Sequence, residues 1–243
     1  MGLKYYFSNG ALQIALIRFG EGVGYDVRVI SPRATVSDFG EVMEKVATED
    51  RIARLRNPGK DSCLGCPRCC RERIPLTSID ALRLGTGEGR AGPRSAGVTP
   101  AARRTLLAAV RRYGWVRVWG RAVDISLRRQ EDGYCVFLDR QRARCRIYPW
   151  RPLACRTYIC APCSSRVMQV RQLVINRGQD ELVRLILKET GVSGFPVNEA
   201  DDFDVRPEDW RVNGFTGKLD YGEVRLRDLV SARMWRALRR VVS

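Results

Sequence analysis

The sequence contains no histidine. Histidine is the usual general base near neutral pH and a common metal ligand, so its absence excludes Ser-His-Asp and Cys-His catalysis. Any metal site must then be built from thiolates, with help from carboxylates at most. Acidic residues are also scarce, because 27 Asp and Glu stand against 43 Lys and Arg, and the formal net charge is +16. Such a surface should attract polyanions such as RNA or DNA. The alternative is that the positive charge only keeps the protein in solution, and the composition does not distinguish the two.

Long apolar segments are missing as well. The N-terminal residues MGLKYYFSNG have neither the apolar region nor the small-residue cleavage site of a secretory signal. No uncharged apolar run approaches the roughly 18 residues that a membrane-spanning helix requires. We therefore expect a cytoplasmic protein that does not associate with a membrane. In a reducing cytosol, closely spaced cysteines indicate a metal or redox site more often than a disulfide framework. Hyperthermophiles are the exception, and the arginine-rich composition is compatible with a thermophile source.

The nine cysteines are confined to the middle of the chain, in two groups. The first group lies in the stretch DSCLGCPRCCRERIPLT and consists of Cys63, Cys66, Cys69 and Cys70. The second group consists of Cys135, Cys145, Cys155, Cys160 and Cys163. Generic buried thiols behave as small hydrophobes and have no reason to cluster in this way. Metal binding is the better explanation.

The spacing of the first group, C-x2-C-x2-C followed at once by another Cys, suits two kinds of metal centre. Three thiolates so spaced can wrap a cuboidal iron–sulfur cluster, with the fourth iron bound by a remote thiolate, and they also suit zinc. Cys69 and Cys70 are adjacent, so their side chains tend to project in different directions and need not bind the same ion. We expect at least one [4Fe–4S] cluster, with Zn²⁺ as the alternative, and both cysteine groups at one centre or at two adjacent centres.

The residues also carry a family resemblance. CLGCPRCC, followed by CVFLDRQRARCRIYPWRPLACRTY, resembles the YkgJ/CxxCxxCC family of zinc- or iron-chelating proteins over about residues 61 to 165. That family's pattern is a CxxCxxCC run, then C-x-x-L, then C-x-I-Y-x-x-R-P-x-x-C-R and an aromatic residue. The resemblance implies a metal-chelating domain and leaves Cys160 outside the pattern. The candidate metal ligands are Cys63, Cys66, Cys69, Cys70, Cys135, Cys145, Cys155 and Cys163.

The same family includes the flagellin lysine N-methylases, in which the cysteine domain accompanies a methyltransferase activity. The glycine run GTGEG, with Gly85, Gly87 and Gly89, follows a predicted helix rather than a strand, so we interpret it as a flexible loop and not as a nucleotide or S-adenosylmethionine loop. Three classes of function stay open. They are a structural metal site in a module that binds RNA or the ribosome through its basic surface, a redox or cluster-transfer protein, and a protein-lysine N-methylase-like enzyme.

Six arginines lie between Arg140 and Arg156, and their acidic neighbour is Asp139. Cationic groups and N–H donors lower the energetic cost of an anionic thiolate-ligated cluster. We therefore predict that Arg151 and Arg156 contact the cofactor. In the alternative interpretation Arg151 caps a turn and Tyr148 is a core residue, and for Tyr148 we favour this alternative.

The hydrophobic pattern predicts an α+β fold in three consecutive segments. Residues 1–60 should form a small antiparallel β-meander, because Asn9-Gly10 and the glycines from 20 to 24 separate apolar runs. A helix should follow and continue to Leu55, before a Pro-Gly stop.

Residues 61–194 should form a mostly helical cysteine-cluster domain. Thr77 is the predicted N-cap of a helix, Asp80 completes its capping box, and Gly85 lies just past its end. Two later helices are predicted to be separated near Gly178.

The last segment, residues 195–243, is predicted to be irregular up to about residue 222 and to end in a basic amphipathic helix. The apolar arc of that helix is predicted to hold Val230, Met234, Trp235, Leu238 and Val241, and its basic arc Arg233, Arg236 and Arg240. Such helices can bind nucleic acid, but more often they dock by the apolar face.

Overall fold

The structure is a computed structural model that describes residues 5–20, 22–52, 54–57, 63, 65–87 and 97–241. Within these ranges the chain forms six α-helices, eight strands and several short 3₁₀ turns, which confirms the α+β fold class. The chain divides into two units. The first unit comprises Met1–Cys69, Cys155–Val174 and Tyr221–Ser243, and the second comprises Cys70–Ala154 and Ile175–Asp220. The domain boundaries inferred from the sequence stay predictions.

An antiparallel β-meander opens the first unit, as predicted. Its strands are β1 (Tyr5–Ser8), β2 (Leu12–Phe19) and β3 (Gly22–Val29), with β2 in the centre. The first turn depends on Asn9 and Gly10. Gly10 has a left-handed φ of +83°, and the Asn9 side-chain oxygen accepts a hydrogen bond from the backbone N–H of Leu12 at 2.9 Å. Glycine adopts this conformation without the steric cost that a Cβ would add.

Helix α1 (Val36–Thr48) follows the meander, with Thr35 and Asp38 forming a capping box. It ends earlier than predicted, and Leu55 is 64% exposed rather than part of its buried face. The cause is Arg54, whose Nη2 donates to three backbone oxygens at the helix end, including that of Glu49 at 2.8 Å. This buried guanidinium binds the free carbonyls and turns the chain back. The predicted Pro-Gly stop lies outside the described residues.

The carboxylate of Glu49, just past α1, is only 5% exposed. A hydrogen bond from the Arg51 side chain lowers the pKa of Glu49 to about 2, although burial acts in the opposite direction. Because this folded-state pKa is below the ordinary 4.5, the ionised carboxylate stabilises the fold above pH 4.5, and the contribution is lost as the pH falls toward 2. We expect the thermal midpoint of Glu49→Gln to depend less on pH across this window than that of the wild type. An equal pH dependence of the two thermal midpoints would show that the Arg51 hydrogen bond does not stabilise the ionised carboxylate.

The C-terminal part of the first unit packs beside the start of α1. The backbone N–H of Val36 donates to the oxygen of Val224 at 2.8 Å, and that of Leu226 to the oxygen of Ala34 at 2.9 Å. Helix α6 spans only Ala232–Arg239, so the predicted helix was too long at both ends. Ser231 begins it as N-cap, and Val230 and Val241 lie outside it, with Val241 exposed.

The second unit contains a three-stranded sheet beside a helix pair. The helices are α2 (Ser78–Thr86) and α3 (Pro100–Tyr113), and the strands are β4 (Gly114–Trp119), β5 (Ala122–Leu127) and β8 (Glu199–Asp201). The order is β5-β4-β8, with β8 parallel to β4. The segment from 195 to 222 was predicted to be irregular, and β8 is the exception. Two short strands, β6 (Leu138–Asp139) and β7 (Arg144–Cys145), pair separately.

The predicted capping box of α2 is confirmed, since the Thr77 hydroxyl accepts from the Asp80 N–H and the Asp80 carboxylate from the Thr77 N–H. The predicted end at Gly85 is wrong. Gly85 lies inside the helix, where an added Cβ would come within 2.7 Å of the backbone oxygen of Thr105, and the left-handed Gly87 is the C-cap. Gly85 therefore serves close packing of α2 on α3. Gly89 lies outside the described residues.

Helix α4 (Leu153–Thr157) is short, whereas α5 (Ser165–Thr190) is continuous through Gly178, where two helices were predicted. An added Cβ at Gly178 would come within 2.5 Å of the Thr77 Cγ2 atom. The glycine thus allows close packing and does not interrupt the helix. Of the helices that the structure describes, none is both long and apolar enough to cross a membrane.

The close contact at Gly178 gives a direct test of this packing. Gly178→Ala should be destabilised by about 1 to 3 kcal/mol despite the higher helix propensity of alanine, because the new methyl group overpacks the core. Asn176→Ala, at an exposed position of the same helix, is the matched control and should not be destabilised. Urea unfolding of both variants measures the difference. An increase in stability for Gly178→Ala would show that the packing is looser than described.

Candidate metal centre

All nine cysteines lie within the described residues, and they carry reduced thiols. The first unit holds Cys63, Cys66, Cys69, Cys155, Cys160 and Cys163, and the second unit holds Cys70, Cys135 and Cys145. The division falls between two adjacent cysteines, Cys69 and Cys70. Both belong to one 3₁₀ turn, Arg68–Arg71, in which consecutive side chains point about 120° apart. This agrees with the expectation that they need not bind the same ion.

The end of α1 positions the first cysteine loop. The backbone N–H of Cys63 donates to the oxygen of Ala47 in the last turn of α1 at 2.9 Å, and the N–H of Cys66 donates to the oxygen of Cys63 at 3.3 Å. Between them Gly65 has a left-handed φ of +67°. The side-chain amide of Asn57 donates to the Cys66 sulfur at 3.6 Å. The loop therefore turns tightly and already offers one hydrogen-bond donor to a sulfur atom.

The segment between α4 and α5 carries Cys160 and Cys163 and is fixed by backbone hydrogen bonds at several points. The N–H of Leu55 donates to the oxygen of Cys160 at 2.8 Å. The N–H of Tyr25 in β3 donates to the oxygen of Pro162 at 3.0 Å. At Gly24 an added Cβ would come within 2.7 Å of that same oxygen, so glycine permits this approach. The segment is thus held against β3 and against the turn after α1.

Three other cysteines of the first unit influence the Cys63 thiol. Burial is the largest influence on the Cys63 thiol and raises its pKa to about 11, and the negative charge of three other cysteines acts in the same direction. Those cysteines are Cys160, Cys69 and Cys66. Arg54 lowers the Cys63 pKa and is only 2% exposed, so a buried cation lies beside the thiols. We call Cys63, Cys66, Cys69 and Cys160 the Cys63 group.

A second set of thiols lies in the second unit. The N–H of Cys135 donates to the oxygen of Cys70 at 2.8 Å, and Cys145 pairs with Leu138 across the β6–β7 ladder. The N–H of Leu138 in turn donates to the oxygen of Cys135 at 3.0 Å. The Cys135 sulfur accepts a hydrogen bond from the N–H of Phe137 at 3.5 Å. Donors of this kind stabilise a thiolate. We call Cys70, Cys135 and Cys145 the Cys135 group.

The two predicted cofactor-contacting arginines have other partners. The Arg156 Nε donates to a carboxylate oxygen of Glu44 at 3.0 Å, which joins α4 to α1. The Arg151 guanidinium stacks 4.0 Å from the ring centroid of Tyr148 and donates to the backbone oxygen of that residue at 3.0 Å. Cys155 lies on α4, next to Arg156. The roles of Cys155 and of both arginines at the metal stay predictions.

The donor chemistry of the Cys63 group is that of a thiolate site. Among the described residues no three Cys, Asp or Glu side chains have, as they stand, the arrangement needed to hold a metal ion. A cysteine side chain can turn about one bond between staggered positions about 120° apart, and such a change of rotamer redirects its sulfur atom. Several thiols with a buried arginine beside them fit a soft metal ion or an iron–sulfur cluster.

The comparison with protein families agrees with the spacing of the cysteines in the sequence. Residues 62–173 match the family model CxxCxxCC, described as "Putative zinc- or iron-chelating domain". Over this part of the chain the sequence is similar to the CxxCxxCC family. The match contains all nine cysteines and confirms the family resemblance. Searches of curated proteins and of solved structures found no match.

Three residues near the thiols escaped the sequence analysis. Cys160 forms a C-x2-C pair with Cys163, but it was left out of the candidate ligands because it stands outside the pattern of the CxxCxxCC family. Arg54 was assigned to the end of a helix. Tyr25, in a strand that precedes the CxxCxxCC domain, has the pKa of its hydroxyl raised by burial and then by Cys163. For Arg54 and Tyr25 the sequence contains no motif that could have indicated the contact.

Proposed function

We propose that the C-x2-C-x2-C loop, together with one thiolate of the Cys160–Cys163 pair, binds a [4Fe–4S] cluster, and that the chain acts as an iron–sulfur protein. The observation that carries this proposal is that Cys63, Cys66 and Cys69 share one C-x2-C-x2-C loop. A cysteine far along the chain, Cys160, is held close to the start of this loop, because its backbone oxygen accepts from the N–H of Leu55 at 2.8 Å. A cuboidal cluster is commonly bound by three closely spaced thiolates and one remote thiolate. The remote thiolate comes from the pair Cys160 and Cys163.

A cation and a hydrogen-bond donor near the sulfur atoms support the proposed cluster site. A bound cluster would supply one-electron redox chemistry or a transferable iron–sulfur unit. Arg54 offsets the negative charge of the thiolates, and Asn57 donates an N–H to the sulfur of Cys66. Both contacts lower the cost of the anionic site and raise its reduction potential. Zinc bound by the same thiolates is the alternative.

Anaerobic purification tests the proposal. The protein should be brown and should contain iron and acid-labile sulfide in equal amounts. Reduction with dithionite should bleach the visible absorption. A colourless protein with stoichiometric zinc and without labile sulfide would contradict the iron–sulfur assignment and would favour a structural zinc site.

A second candidate function is binding of RNA or the ribosome. It is supported by the net charge of +16 and by the exposed basic side of α6. The inward side of this helix holds Met234, Trp235 and Leu238, and the exposed arginines are Arg233, Arg236, Arg239 and Arg240. Four guanidinium groups on the exposed surface can contact successive phosphates and release counterions.

Salt titration of RNA binding tests this second candidate. Replacing Arg233 and Arg236 with Ser should weaken binding to a single-stranded RNA oligonucleotide and reduce the slope of log K against log salt by about 0.7 for each phosphate that the variant no longer neutralises. The control removes the same charge at Arg104 and Arg206, which are ion-paired with Glu189 and Asp204. Equally weakened binding in both double variants would mean that only the net charge matters.

A further inference from the structure

Tyr25 has an unusual position for a tyrosine. It lies in β3, outside the residues that match the CxxCxxCC family, and it is 0% exposed. Its backbone N–H donates to the oxygen of Pro162 at 3.0 Å, and its backbone oxygen accepts from the N–H of Ser164 at 3.1 Å. The residue between these two partners is Cys163. The strand therefore holds Tyr25 directly alongside a candidate metal ligand.

The buried hydroxyl of Tyr25 has no hydrogen-bond partner of standard geometry among the described residues. The group beside it is the Cys163 thiol, and Arg171 and Cys63 are near enough to change its pKa. A buried hydroxyl without an acceptor costs free energy, and a neutral thiol is a weak acceptor. A metal-bound thiolate is negatively charged and accepts stronger hydrogen bonds.

Arg171 supplies a second buried donor near the Tyr25 hydroxyl. Its guanidinium is buried, stacks 4.2 Å from the ring centroid of Tyr158, and donates to the oxygen of Thr157 at 3.5 Å. Its Nε has no hydrogen-bond partner within the part of the chain that the structure describes. A buried cation and a buried hydroxyl thus lie together next to the thiols. Both would gain from an anionic acceptor at this place.

We propose that the Tyr25 hydroxyl donates a hydrogen bond to the metal-bound sulfur of Cys163, so that the N-terminal sheet completes the metal site of the CxxCxxCC domain. The inference rests on the proposed thiolate-bound metal and makes Cys163 the remote ligand that Tyr25 supports. Tyr25 positions and tunes this sulfur and does not itself bind the metal. Arg171 adds positive charge near the same hydroxyl.

The test compares Tyr25→Phe with Tyr221→Phe, which removes the hydroxyl of another fully buried tyrosine of the first unit. Tyr25→Phe should still bind the cluster, but with a lower reduction potential, because a hydrogen bond to a ligating sulfur raises the potential. In metal-free protein the same substitution should change the thermal midpoint little, since the neutral Cys163 thiol is only a weak acceptor. Tyr221→Phe should leave the potential unchanged. An unaltered potential in Tyr25→Phe, or an equal loss of stability with and without metal, would overturn the proposal.

Zinc separates failure of this inference from failure of the proposed cluster. If the purified protein carries zinc, the iron–sulfur assignment is wrong, and the comparison is made on zinc affinity by competition with a chelator. Tyr25→Phe should then bind zinc about 10-fold more weakly or worse, as is usual when a hydrogen bond to a ligand is removed. Zinc affinity equal to that of the wild type would overturn the inference in this case as well.

Discussion

The Cys66→Ser variant is expected to lose its metal and much of the thermal stability of the first unit. The ligand is a thiolate, and serine at neutral pH offers a protonated hydroxyl instead. Cys66 lies between Cys63 and Cys69 in a loop that is fixed to the end of α1. Structural zinc sites contribute apparent binding free energies of about 10 to 16 kcal/mol, which is of the order of the whole stability of a domain. Loss of the metal should therefore lower the unfolding midpoint of the first unit by tens of degrees.

Cys135→Ser is the matched control for this experiment, because it makes the same chemical change in the second unit. We expect it to keep the metal of the Cys63 group, whatever happens at the Cys135 group. Metal content and thermal unfolding are measured on both variants after anaerobic purification. If Cys66→Ser keeps full metal and wild-type stability, the Cys63 group is not the metal site. If Cys135→Ser loses all metal, the two groups share one centre.

Asp26→Ala is expected to destabilise the first unit by about 3 to 5 kcal/mol, since it removes one partner of a buried ion pair and leaves the other unpaired. Asp26 is 3% exposed and follows Tyr25 in β3. Its carboxylate accepts from the Ser164 hydroxyl at 2.6 Å and from the Arg166 Nε at 2.8 Å. Arg166 also donates to the backbone oxygen of Ala237 at the end of α6, at 2.7 Å. The carboxylate thus joins β3 to the start of α5, and Arg166 extends this link to α6.

The control for Asp26 is Asp204→Ala, which breaks an exposed pair with Arg206 whose N–O distance is 2.9 Å. Exposed pairs contribute about 0 to 1 kcal/mol, so this variant should be close to the wild type. Denaturant unfolding measures both. Because Ser164 follows Cys163, Asp26→Ala should also weaken metal binding. Similar small effects of the two substitutions would show that the Asp26 carboxylate does not hold the segment in place.

Short sequence motifs correctly predicted the structural features that depend on only a few neighbouring residues. Asn9 and Gly10 specified the first hairpin turn, and Thr77 with Asp80 specified the start of α2, because these signals act within a few residues. Glycine was misread at Gly85 and Gly178. A glycine that breaks a helix and a glycine that lets a neighbour approach look the same in sequence, and only the tertiary contact distinguishes them.

The candidate metal site could likewise be predicted from the sequence only in part. The spacing of Cys63, Cys66 and Cys69 places three thiols on one loop, and that part needs no tertiary structure. The approach of Cys160 depends on how the chain returns after about 90 residues, which spacing cannot specify. Arg54 and Tyr25 contribute single polar groups from segments that contain no recognisable motif. Their role becomes visible only when the strand and the turn after α1 are placed beside the cysteines.

The central claim is that a metal is bound by cysteine sulfur in the Cys63 group. X-ray absorption spectroscopy of the wild-type protein, at the edge of the metal that it contains after anaerobic purification, tests this most directly. The account predicts a first coordination shell of sulfur alone at about 2.3 Å, with a second shell of iron if the centre is a cluster. A first shell made mainly of oxygen or nitrogen would contradict it.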